Sequence, residues 1–125
     1  MKLVLVIEDQ EDNRTILRDL FASVGYQVLE AVDGHEGIRV ATAERPDLIL
    51  MDIQMPGLDG YDTTRRIKAQ KDLAAIPIIA VTSYALAGDE EKAQAAGCDD
   101  YVAKPFSPRA LLAKVAVWLE SGAPG

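Results

Sequence analysis

Cysteine is almost missing from this chain. Cys98 is the only one, which excludes an internal disulfide and a cysteine-based zinc site and fits a cytoplasmic setting. Histidine is as scarce, and the single His35 reads as a solvated helix residue. Positive charge is in deficit: 13 Lys and Arg stand against 20 Asp and Glu, a formal charge of −7. An acidic surface argues against nonspecific nucleic-acid binding and against an anionic membrane surface. Long hydrophobic runs are missing too, so no segment approaches the length of a membrane span. The short apolar run after Met1-Lys2 lacks the small-residue cleavage site of a signal peptide. There is no internal repeat, linker or low-complexity stretch. What is present is a globular balance, 49% hydrophobic and 26% charged over 125 residues, enough for one domain with one core.

The chain is organised around Leu48-Ile49-Leu50-Met51-Asp52, four large apolar residues running into a carboxylate. A continuous apolar run without polar alternation fits a strand buried on both faces, as in a parallel sheet covered by helices. Leu3–Ile7, Tyr26–Ala31, Pro77–Val81 and Asp100–Ala103 read as four more strands. Between them, helices are expected over about 12–24, 35–43, 60–70 and 89–96, with a last one after Ser107 as N-cap and Pro108 at the first helical position. The first helix is expected to bury Ile16, Leu17, Leu20, Phe21 and Val24, with Gly25 as its stop. The second is expected to bury Ile38, Ala41 and Thr42. The last is expected to bury Leu111, Leu112, Val115, Trp118 and Leu119. Strands alternating with helices imply an α/β fold of parallel units with right-handed crossovers. Residues 1–120 are then one domain and 121–125 a polar tail.

In a parallel sheet the carboxyl ends of the strands converge on one edge, where ligands bind in open α/β folds. Glu8-Asp9, Asp52, Thr82 and Lys104 each follow an apolar run directly. Any one of them has an ordinary reading as a cap or turn residue. All four strand ends being polar, with two acidic ends, a hydroxyl and an ammonium, is far harder to treat as coincidence. Cys98 beside Gly97 reads as structural, and Trp118 as core.

These motifs resemble the receiver domain of bacterial two-component response regulators: the acid pair Glu8-Asp9, Asp52 within Leu50–Gly57, Thr82 in Ala80-Val81-Thr82-Ser83, and Lys104 in Tyr101–Phe106. The resemblance covers nearly the whole chain, and DivK-type single-domain receivers and the receiver modules of hybrid kinases look most alike. Glu8 stands where the family more often has a second aspartate. The resemblance implies a flavodoxin-like, doubly wound fold, a five-stranded parallel sheet in the order 2-1-3-4-5 with helices on both faces. It implies Asp52 as phosphoacceptor for a phosphohistidine of a sensor histidine kinase or a histidine phosphotransfer protein. It implies Mg2+ held by Asp9, Asp52 and the backbone carbonyl of Gln54, with Glu8 in contact through water. Lys104 would pair with Asp52 and then with a phosphoryl oxygen; Thr82 would give its hydroxyl to another, and Tyr101 would change rotamer with it. Lys104-Pro105 is expected to be cis. Gln54 and Tyr84 are expected to flank the path of hydrolytic water, Tyr84 shielding the phosphoryl group and making it long-lived.

No DNA-binding or catalytic output segment follows the last helix, so output is expected through a downstream protein target. The start of the first helix (Asn13, Arg14, Leu17) is the expected docking place for the phosphodonor, and Lys92, Tyr101 and Arg109 mark the expected switching surface. Self-catalysed phosphorylation and slow self-dephosphorylation are the only expected catalysis. Alternatives are a receiver module cut from a hybrid sensor kinase, an aspartyl-nucleophile phosphatase of the haloacid dehalogenase kind, and a flavodoxin-like carrier. The phosphatase needs a second aspartate where Gln54 stands. The carrier needs a flavin phosphate loop where Glu8-Asp9 would repel it.

Overall fold

The structure is a computed structural model and describes residues 1–83 and 88–120. Tyr84 and the 121–125 tail lie outside the described residues. Five strands alternate with five helices: β1 Leu3–Ile7, α1 Glu11–Ala22, β2 Gln27–Ala31, α2 Gly34–Glu44, β3 Leu48–Asp52, α3 Gly60–Ala69, β4 Ile78–Thr82, α4 Asp89–Ala96, β5 Asp100–Ala103 and α5 Pro108–Glu120. All strand pairs are parallel and the order is β2-β1-β3-β4-β5, as the resemblance implied. Consecutive side chains of a strand point to opposite faces, and the core divides accordingly. Leu5, Ile7, Ile49, Met51, Ile78 and Ala80 pack with Ala41 of α2, Ile67 of α3 and Ala93 of α4. Val4, Val6, Leu48, Leu50, Ile79 and Val81 pack with Leu17 and Phe21 of α1 and Leu111, Val115 and Leu119 of α5. Every residue of β3 and β4 is buried, because each contributes to both halves of the core.

Three helix faces differ in detail from the sequence reading. On α1 only Leu17 and Phe21 are fully buried, with Leu20 partly so. Ile16 is 60% exposed and Val24 is exposed as well. Residue 16 lies about 100° round the helix from residue 17, so it leaves the sheet-facing stripe. Val24 lies past the helix end, which closes where Tyr26 N–H donates to Phe21 O and Gly25 takes φ +89°. On α2 the buried side is Gly34, Gly37 and Ala41; Thr42 is exposed and turns its hydroxyl back onto Ile38 O at 2.8 Å. On α5, Trp118 packs against the core with its ring partly exposed while its Nε1–H donates to Asp100 Oδ2 at 2.8 Å. The cap of α5 is as expected, Ala110 N–H donating to Ser107 Oγ, and the Lys104–Pro105 bond is cis.

Candidate functional site

Asp52 ends the central strand between β1 and β4 and is 6% exposed. The ladder continues one residue past it, Ile53 N–H donating to Val81 O, so the carboxylate is set by the sheet. The helix that follows is brought close by glycine: a Cβ on Gly60 would lie 2.6 Å from Asp52 O. Glu8 and Asp9 follow β1, Thr82 ends β4 against Ala103 of β5, and Lys104 follows β5. Lys104 N–H donates to Thr82 O at 2.7 Å. The four strand ends singled out in the sequence therefore meet at one edge.

Glu8 is the most buried of the three acids, 2% exposed. Its carboxylate accepts from Gln10 N–H at 2.9 Å and from the Asn13 amide at 3.4 Å, and Lys104 Nζ stands 3.4 Å away. The same ammonium is 3.8 Å from Asp52 Oδ1, so it bridges two acids rather than serving one. Arg14 holds the acid pair from behind, donating to Glu8 O at 2.9 Å while its Nε sits 3.4 Å from Glu30 on β2. Asp52 Oδ1 also accepts from Gln54 N–H at 3.2 Å.

Carboxylate oxygens of Glu8, Asp9 and Asp52 lie within 4.8 Å of one another. One ammonium does not balance three acids, and the protonation equilibria register the surplus. Burial and the charge of Glu8 push the Asp52 carboxyl up to about 7, which Lys104 only partly offsets. Burial, and then the hydrogen bond and charge of Glu8, push Asp9 up as well. Burial would also raise Glu8, but Gln10 N–H and Lys104 overcome it and leave that carboxyl below its usual range. An all-oxygen donor set with surplus negative charge suits a hard divalent cation such as Mg2+.

Thr82 is fully buried, and its Oγ1 accepts from Gln54 Nε2. Gln54 Oε1 accepts from Ser83 N–H at 2.9 Å. Sequence reasoning assigned Gln54 a backbone carbonyl and a place beside the water path; it missed that the carboxamide reaches β4. It also missed Asn13 and Arg14 as supports of Glu8, having placed them only on a docking face. Tyr101 sits opposite Ala80, half-buried against the α2–α3–α4 side of the core. By strand alternation Thr82 is on that same face. Lys92 and Arg109 are exposed. A groove of about 570 Å³ opens beside Asp52 and Lys104, walled by Asn13, Ile16 and Leu17 on one side and Pro105 and Phe106 on the other.

A doubly wound sheet with this acid, hydroxyl and ammonium set defines the response regulator receiver domain. The chain matches that family over residues 4–116 and belongs to it. It is a receiver of two-component signalling, and the phosphatase and flavodoxin alternatives are not favoured. The polar-differentiation response regulator DivK of Brucella anthropi is 43% identical over 106 residues, 85% of this chain and 86% of that one. Among solved structures, the receiver domain of the sensor histidine kinase PA1611 of Pseudomonas aeruginosa is 41% identical with a TM-score of 0.88. That match covers 95% of this chain and 98% of the other, and the solved domain holds a magnesium ion in its active-site cleft. The receiver domain of a histidine kinase from Syntrophus aciditrophicus is 31% identical with a TM-score of 0.92, over 100% and 95% of the two chains. Among the described residues no helix is long and apolar enough to cross a membrane.

Proposed function

We propose that Asp52 accepts a phosphoryl group from a phosphohistidine on a sensor histidine kinase or histidine phosphotransfer protein, and that residues 1–120 act as one receiver whose output passes by protein contact. The observation that carries this reading is the place of Asp52. It is a buried carboxylate at the end of the central strand, with Glu8 and Asp9 gathered beside it and Lys104 3.8 Å away.

A carboxylate oxygen of Asp52 attacks phosphorus; the O–P bond forms as the donor's N–P bond breaks, and the imidazole leaves with the bonding pair. Carboxylates of Asp9 and Asp52 and the backbone carbonyl of Gln54 would hold Mg2+, with Glu8 supporting it. The ion supplies a positive charge that screens the approach of two anionic groups and the charge developing on the transferred group. Lys104 already stands between Glu8 and Asp52 and is positioned to follow charge from the carboxylate to a phosphoryl oxygen. Thr82 offers a hydroxyl at the adjoining strand end. A phosphoryl group that recruits it favours one arrangement of β4's end over another, and Tyr101, on the same face two positions back, is the side chain placed to respond. Substitution Thr82→Ala is expected to leave phosphorylation intact while abolishing the phosphorylation-dependent shift of amide resonances near Tyr101.

Incubation with acetyl phosphate and Mg2+, followed by mass spectrometry, tests the assignment. One phosphoryl group on Asp52, absent from Asp52→Asn, is expected. Stoichiometric labelling that survives the substitution, with no other acid newly modified, refutes it.

A further inference from the structure

The carboxamide of Gln54 crosses from the loop after β3 to the end of β4 and spends both of its polar ends there. Nε2 donates to Thr82 Oγ1, and Oε1 accepts from Ser83 N–H at 2.9 Å. Those two partners are neighbours at the edge beside Asp52, and Ser83 lines the same groove as Asp52 and Lys104. Both are hydrogen-bond donors, a backbone N–H and a hydroxyl, at the end of the strand paired with the one that carries Asp52. One N–H cannot be fully given to two acceptors. The carboxamide oxygen, neutral and already seated, occupies a donor that an anionic phosphoryl oxygen would bind more strongly.

From this juxtaposition we infer that Gln54 is a positioning residue that competes internally for Ser83 N–H and ties down Thr82, holding the end of β4 in its unmodified arrangement until a phosphoryl group displaces the carboxamide. The inference rests on Asp52 being the phosphoacceptor. It gives Gln54 a role different from shielding or orienting water, because it acts through the end of β4 rather than on the path of the water. A ligand shifts a two-state equilibrium only by its differential contacts. Removing contacts made only in the unmodified state therefore tightens binding of whatever requires the other.

The test uses Gln54→Met, which keeps length and bulk but makes neither hydrogen bond, with Gln54→Ala as a second variant and wild type as reference. Two quantities are read: amide hydrogen exchange at Ser83 in the unmodified protein, and apparent affinity for beryllofluoride with Mg2+, a phosphoryl analogue. Both variants are expected to exchange Ser83 N–H at least about fivefold faster and to bind beryllofluoride about two- to tenfold more tightly, the range that one net neutral hydrogen bond supplies. A purely steric role predicts that Gln54→Met behaves as wild type in both. Ser83 exchange within twofold of wild type overturns the clamp. Faster exchange with unchanged or weaker beryllofluoride binding overturns the competition. Wild type that forms no adduct, with the exchange difference intact, overturns the phosphoacceptor reading and the competition built on it, while leaving the clamp as a structural contact.

Discussion

Glu8 accepts from Gln10 N–H and the Asn13 amide and has Lys104 3.4 Å away, whereas Asp9, next in the chain, is only half-buried and has its carboxyl pushed up by burial and by Glu8. Glu8 already has hydrogen-bond and ammonium partners; of the pair, Asp9 is the carboxylate that gains more from an added cation. Asp9→Asn is accordingly expected to weaken Mg2+ binding at least about tenfold, and Glu8→Gln less, because the first removes a direct charge contact. Titration followed by calorimetry checks this, and equal losses would refute the ranking. That these acids share an edge with Asp52, Thr82 and Lys104 was legible in the sequence, since parallel strands place their carboxyl ends together. How the side chains divide the work was not. Lys104 bridges two acids and Gln54 reaches Thr82 and Ser83 because loops of particular shape bring residues far apart in the chain to within a hydrogen bond, and no spacing rule encodes that.

Elements were legible to the extent that burial was two-sided. β3 and β4 read as continuous apolar runs because both faces meet helices, and their ends are within a residue of expectation. Helix faces were less clear, since periodicity locates a stripe but not its width: Ile16 and Thr42 sit just beyond it. Two elements carry expectations of their own. The start of α3 packs so closely on the end of β3 that Gly60→Ala would force a Cβ to within 2.6 Å of Asp52 O. A loss of about 1–3 kcal/mol is expected for such overpacking, together with slower labelling of Asp52, read by thermal unfolding and mass spectrometry. The other is the tie between β5 and α5. Partial burial raises the Asp100 carboxyl, but hydrogen bonds from Trp118 Nε1, Tyr101 N–H and Lys114 Nζ, and the charge of Lys114, outweigh it and hold it below its usual value of 3.8. A lowered folded pKa stabilises above the unfolded value and loses that contribution as pH falls through the folded one. Asp100→Asn is therefore expected to cost about 1 kcal/mol at neutral pH, after allowance for solvent screening, and progressively less below pH 3.8. Melting temperatures of the two proteins across that range decide it; a difference independent of pH would remove the charge from the explanation.

At the scale of the whole molecule, the site opens into a groove. α1 and α5 cover one face of the sheet, α2, α3 and α4 the other, and the groove between α1 and the segment after β5 leads to Asp52 and Lys104. Its walls combine an exposed Ile16 with Leu17, Pro105 and Phe106. Arg14, by contrast, is committed to Glu8 and Glu30 and has less left to offer a partner. A small donor such as acetyl phosphate needs only the pocket; a phosphohistidine carried on another protein must also seat that protein against the groove wall. The two donors therefore separate chemistry from docking. Ile16→Lys keeps the helix, since the position is already open to solvent, but puts a charge where an apolar contact would form. Transfer from a cognate phosphohistidine protein is expected to fall at least about tenfold, the effect of losing 1.4 kcal/mol at an interface anchor, while labelling by acetyl phosphate stays within twofold of wild type. Equal loss with both donors would place the defect in the pocket, and no loss with either would move the docking surface away from α1.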